Sequence, residues 1–141
     1  MAKLTLELAQ RLIKVARETA GGKPVVVAVV DSGGDLIAFE RMDTTGKTMA
    51  RVALGKAYTA AISGRETAVM AERAKENPLF WHSVAAKDPG PFIFGRGGAP
   101  LIEDGEVMGA IGVSGPSGDI DVACAKAAAE EFTRRFEQKG N

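Results

Sequence analysis

One cysteine and one histidine stand among 141 residues, and each scarcity closes off a class of chemistry. A single cysteine, Cys124, permits no disulfide within the chain, and a reducing, cytoplasmic setting is expected. His82 alone cannot build a histidine-based metal cluster within one chain, so no metal site is expected. A Ser-His-Asp nucleophile signature is missing too: Ser114 stands in Gly112-Val-Ser-Gly115, which is not the Gly-x-Ser-x-Gly elbow. Net charge is also missing, because 18 Lys and Arg residues balance 18 Asp and Glu residues. Without a basic stripe, nucleic acid and an electrostatic membrane anchor are both excluded as main partners. The longest apolar run, Val25 to Val30, falls far short of the roughly 20 residues needed to cross a bilayer. The opening Met-Ala-Lys-Leu-Thr-Leu-Glu carries an early acid and no apolar core, so no signal peptide is expected.

What is present fits a single domain over residues 1–141. Hydrophobic residues make up 45% and charged residues 26% of the chain, close to globular averages. A chain of this length buries roughly 70% of its unfolded surface, enough for one core. Leu8, Leu12 and Val15, flanked by Ala9, Ile13 and Ala16, recur at helical spacing after Thr5, an N-cap type. Val25 to Val30 is β-branched and apolar, a buried strand. Asp31-Ser-Gly-Gly-Asp35 turns the chain into a second strand, Leu36 to Arg41. A helix from about Thr48 to Ser63 carries a small-residue face of Ala53, Ala57, Ala60 and Ala61, and Gly64 ends it. A further helix is expected over about Glu66 to Asn77, with a short turn at Pro78 to Val84. Phe92-Ile-Phe94 reads as a short strand. Ala99 to Glu103 and Glu106 to Ser114 form a hairpin about Asp104-Gly105. Ser117 or Asp119 caps a last helix carrying Val122, Ala125, Ala129, Phe132 and Phe136, with Arg134, Arg135 and Lys139 suited to its C-terminal dipole. Five strand candidates joined by hairpins, with helices for both faces, define an α+β class with a mainly antiparallel sheet.

Glycines at 109 and 112 within one strand mark close approach of another backbone or of a ligand. Arg41 and Asp43 end the second strand, where sites gather. Lys56 falls beside an apolar helix stripe, so its ammonium must reach solvent or find a partner. Arg96 in Gly95-Arg-Gly-Gly98, with the N–H groups of Gly97 and Gly98, suits a carboxylate or similar anion. His82 follows Phe80-Trp81; it is either a solvated loop residue or an imidazole that ligates a haem iron or moves protons. Met42, Met49, Met70 and Met108 read as core filler. Cys124 reads as a buried small hydrophobe whose pKa falls only if it is exposed.

Val27-Ala-Val-Val-Asp31 with Gly34, Ala38-Phe-Glu-Arg-Met-Asp43, Lys56-Ala-Tyr-Thr-Ala-Ala61, Asn77-Pro78, Gly97-Gly-Ala-Pro100, and Asp104-Gly105 through Gly109-Ala-Ile-Gly-Val-Ser-Gly115 follow one another in that order. Together they resemble the GlcG/HbpS family, the haem-degrading-domain-like group related to the C-terminal domain of PduO-type proteins, over nearly the whole chain. The resemblance implies a profilin-like sandwich with a five-stranded antiparallel sheet and helices on both faces. It implies homo-oligomers built from dimers, and haem as a cofactor in some members. By this match Arg41, Asp43, Lys56, Thr59, Arg96, Gly97, Gly98 and Ser114 are expected to line a ligand pocket. The first-helix histidine of some relatives is absent, with Gln10, Lys14 and Glu18 at its polar positions. The haem-ligand candidates are then His82, Thr59 and Thr67.

Two functions are carried forward. One is a cytoplasmic, oligomeric small-molecule-binding protein for haem or a related planar cofactor. The other is an enzyme or accessory protein for a small organic acid in catabolism, with Arg41, Arg96 or Lys56 on the carboxylate and Asp43 or Glu103 as acid or base.

Overall fold

Residues 4–139 are described in the structure, a computed structural model, with side chains as far as residue 135. The elements are α1 (Leu6–Thr19), β1 (Val26–Asp31), β2 (Leu36–Arg41), α2 (Met49–Ser63), α3 (Thr67–Glu76), α4 (Pro78–Lys87), β3 (Gly98–Glu103), β4 (Glu106–Ser114) and α5 (Gly118–Lys139). The side chains of Phe136 and Lys139 lie outside the described residues.

The sheet has the order β2-β1-β4-β3, with every neighbouring pair antiparallel. Local chemistry fixes its two hairpins. Asp31 Oδ1 accepts from the backbone N–H groups of Gly33 and Asp35, and Gly34 takes a positive φ of 86°. At the second hairpin Asp104 and Gly105 adopt φ of 50° and 79°, the left-handed pair that matches strand twist.

Strand periodicity then sorts side chains into two layers. Val25, Val27 and Val29 join Leu101, Ile111 and Val113 beneath α1 and α5, where Leu12 and Phe132 are fully buried. Cutting either of those two back to alanine costs roughly 2–5 kcal/mol, lost transfer energy plus a cavity. Val26, Ala28, Val30 and Ala110 face the opposite way and pack on Ala53, Ala57, Ala60 and Ala61 of α2. The helix caps are those the sequence suggests: the Leu8 N–H donates to Thr5 Oγ1, and the Ile120 N–H donates to Ser117 Oγ.

Among the described residues four strands form, not five. Phe92-Ile-Phe94 pairs with no strand, because residues 88–95 cross the outer side of α2 as an irregular strap and the chain reaches the sheet only at Gly97, whose carbonyl accepts from the Val113 N–H. The Ile93 N–H donates to Thr59 Oγ1 on α2 rather than to a strand carbonyl. The segment expected as a short turn is the full helix α4, which buries none of its residues.

α2 thus lies between the sheet and the strap, and glycines mark both contacts. A Cβ on Gly112 would lie 2.1 Å from Ala53 O and 2.4 Å from Ala57 N. A Cβ on Gly55 would lie 2.7 Å from Pro91 O. The strand glycines therefore answer to a neighbouring backbone rather than to a ligand.

Candidate functional site

Lys56 lies on the sheet-facing side of α2, one residue before Ala57, and is only 5% exposed. Its ammonium does not reach solvent. Nζ donates to Val113 O at 2.9 Å and to Asp121 Oδ2 at 3.1 Å. Asp121 stands in the first turn of α5, on the same stripe as Ala125, Ala128 and Phe132, so the helix aims it inward. Gly97, at φ 121°, closes the pair from above: a Cβ there would lie 3.1 Å from Nζ and 2.6 Å from Val113 O. Desolvation pulls the Lys56 pKa down, opposed by the charge and hydrogen bond of Asp121. Desolvation likewise pushes the Asp121 pKa up, opposed chiefly by Lys56. Asp121 Oδ1 closes no hydrogen bond of ordinary geometry among the described residues, although the Gly115 backbone faces it and favours its charge. Such a sealed pair ties α2 to the β4–α5 junction and leaves no free amine for a ligand.

Thr59 and Thr67 have committed hydroxyls. Thr59 Oγ1 donates to Gly55 O and accepts from Ile93 N; Thr67 Oγ1 accepts from Gly98 N at 2.7 Å. Both are fully buried. Their chemistry is to pin the strap and the start of β3, and it offers no open oxygen to an iron. Tyr58 OH donates to Asp88 Oδ1 at the other end of the strap. Its ring is walled by Gly34 and Gly90, where an added Cβ would meet ring carbons at 2.5 and 1.8 Å.

Arg96 does not join Lys56. It pairs with Asp119 at 2.8 Å on the surface. Gly98 and Ser114 are both buried rather than on an open rim, Gly98 against the Lys56 carbonyl and Thr67.

His82 lies on α4 and is exposed, its ring stacked on Phe94 at 6.2 Å and 16°. Phe94 also meets Trp81 and Phe92. This aromatic patch belongs to the strap side of the sheet.

An open groove lies toward the opposite face, between α1 and the end of β2. It consists of two adjoining hollows. One, of about 490 Å³, is lined by Gln10, Lys14, Glu18 and four further residues. The other, of about 390 Å³, adds Pro24, Arg41, Asp43 and Thr44. Arg17, Gly22, Glu40 and Met42 border both. Arg17 bridges Glu40 at 2.8 Å, with both side chains 45% exposed. The Arg41 Nε donates to Thr45 Oγ1 at 2.9 Å, which orients the guanidinium across the turn after β2. Met42 Sδ accepts from the Val25 N–H at 3.4 Å.

Of the residues expected in one pocket, Arg41 and Asp43 line this groove, Lys56 forms the buried pair beneath Gly97, Gly98 packs on the Lys56 carbonyl, Ser114 is buried at the end of β4, Thr59 pins the strap, and Arg96 pairs with Asp119 at the surface. Sequence reasoning missed Asp121, though its spacing with Ala125, Ala128 and Phe132 placed it on the inner stripe of the last helix. It also missed Arg17 and Glu40, which only the packing of α1 on β2 brings together.

The geometry defines a class: a small α+β domain with an antiparallel sheet between helical layers, a sealed ion pair and an open charged groove. The model of the family described as "Haem degrading protein HbpS-like" matches residues 4–130. The chain belongs to this family, the GlcG/HbpS group. Protein GlcG of Escherichia coli (strain K12) is 36% identical over 114 residues, covering 79% of this chain and 81% of GlcG. A double mutant of HbpS from Streptomyces reticuli has a similar structure, with TM-score 0.80 and 36% identity over 91% of this chain and 86% of that one. A PduOC:heme complex superposes with TM-score 0.80 and 27% identity, covering 90% of this chain and 93% of that one.

Proposed function

We propose that this chain is a small-molecule-binding protein that takes a planar, carboxylate-bearing ligand of the haem type in the α1–β2 groove. The observation that carries this reading is the lining. Lys14, Arg17 and Arg41 supply cations suited to carboxylates, while Met42 and Pro24 supply apolar surface for a flat ring. A family described by haem chemistry and a structural neighbour solved with haem support the choice of ligand class.

The groove fits the carboxylates and body of haem better than its iron. The chain's one histidine is on α4 and its one cysteine is buried in the core. Met42 offers a thioether that already accepts from Val25 N–H. When bound, haem would bring redox-active iron; the residues present bind and orient its carboxylates. His82 is the alternative ligand, on the far side of the sheet.

The organic-acid enzyme finds less support, since Lys56 is sealed against Asp121 and Arg96 pairs with Asp119 outside the groove that holds Arg41. Exposed Leu79 and Phe80, 82% and 52% accessible, favour a homo-oligomer.

Titration with haemin, followed by the Soret band, tests the reading. Saturable binding weakened roughly tenfold by Arg17→Ala and unchanged by His82→Ala is expected, about the worth of one charge-assisted hydrogen bond. Absence of saturable binding overturns it; loss only in His82→Ala moves the site to α4.

A further inference from the structure

Resting on that reading, we infer that the Arg17–Glu40 bridge is a displaceable partition, and that the groove selects its ligand by carboxylates and not by metal. Both hollows share Arg17, Gly22, Glu40 and Met42 as a common wall, and the ion pair is the part of that wall able to move. Both of its side chains are about half exposed, so Glu40 can turn to solvent without leaving a charge buried. Gly22 and Met42 then remain as a floor continuous between the hollows.

Charge favours the same event at Arg17. The lining holds three cations, Lys14, Arg17 and Arg41, and three acids, Glu18, Glu40 and Asp43. As it stands, the groove presents no net positive charge to an anion. A ligand carboxylate gains Arg17 as a partner by taking the place of Glu40. Lys14 and Glu18 lie 4.0 Å apart, a loose contact, whereas Arg17 and Glu40 hold the close one. Moving Glu40 off Arg17 offers a guanidinium to the ligand and joins the two hollows in one step. Arg41, in the second hollow and already oriented by Thr45, is placed for a second carboxylate.

Selection follows from what the lining lacks. No imidazole or thiolate is among the groove residues. A planar dicarboxylate with an apolar body therefore satisfies the site with or without a metal at its centre.

The test compares haemin, metal-free protoporphyrin IX and protoporphyrin IX dimethyl ester, by absorbance and by quenching of the lone Trp81. The proteins are wild type, Glu40→Gln and Glu40→Ala, with thermal melts confirming that each is folded. Wild type is expected to bind the two diacids within about threefold of each other and to lose the ester. Removing the competing carboxylate is expected to tighten both diacids roughly two- to fivefold, the equivalent of one exposed ion pair. If haemin binds and both Glu40 variants bind it equally or more weakly, the partition is wrong while the groove reading stands. If haemin binds and protoporphyrin IX does not, the site reads iron and the selectivity is wrong. If wild type binds neither diacid, the proposed function fails with it.

Discussion

Lys56 Nζ and Asp121 Oδ2 meet at 3.1 Å with side chains 6% and 5% exposed, joining a helix on one face of the sheet to the first turn of a helix on the other. Charge buried so completely is stable only while paired. Lys56→Met or Asp121→Asn alone is expected to cost about 3–5 kcal/mol, because each strands its partner. Lys56→Met with Asp121→Leu removes both charges and is expected to cost far less than the sum. Urea unfolding of the two single variants and the double variant measures the coupling.

The pair also sets a pH dependence. Asp121 titrates above its unfolded value of 3.8, so the folded state binds its proton more tightly than the unfolded chain does. Its contribution is fully present below that value and is lost as pH rises through the folded pKa. Lys56 is held below 10.5, so its contribution is fully present above that value and is lost as pH falls through the folded pKa. Between these limits both groups are charged at the expense of desolvation. The double variant should therefore gain on wild type as pH rises above 3.8 through the Asp121 titration, read from urea midpoints.

Tyr58 is the chain's one tyrosine, so its ionisation can be followed alone in the ultraviolet spectrum. The hydrogen bond to Asp88 leads in pushing its pKa from 10.0 up to about 12, with burial adding to it. Asp88→Asn is expected to bring the midpoint back toward 10.0. Because the folded pKa is the higher one, the stabilisation is present below 10.0 and lost as pH rises through about 12. The strap should loosen over that window, visible as faster hydrogen exchange at Ile93.

Cys124 is fully buried, and its thiol pKa is pushed up to about 11 by desolvation, with the Asp121 charge adding to it. A thiolate-specific reagent is expected to leave the native protein unlabelled and to react only on unfolding. Labelling that tracks the urea transition bears this out; rapid native labelling contradicts it.

The strands and most helices were legible because each is fixed by neighbours in the chain. Val25 to Val30 had to be a buried strand, Asp31-Ser-Gly-Gly-Asp35 had to turn it back into β2, and Asp104-Gly105 had to join β3 to β4. Thr5, Ser117 and Gly64 marked helix ends by their own hydrogen bonds or backbone angles. Phe92-Ile-Phe94 misled because alternating aromatics suit a strand equally well when they cross a helix. What decided the matter was Thr59, 34 residues earlier, taking the Ile93 N–H.

The site was less legible for the same reason. Sequence by itself determined that the Lys56 ammonium had to reach solvent or find a partner, since it stands beside an apolar stripe. It also determined that Gly112 stood against something, since a strand seldom tolerates a missing side chain without cause. Only tertiary structure decided that the partner is Asp121, 65 residues away, and that the neighbour of Gly112 is the backbone of α2. The Arg17–Glu40 partition was decided there too. Local periodicity fixes which face a residue takes, but the packing of α1 on β2 alone brings these two side chains within 2.8 Å.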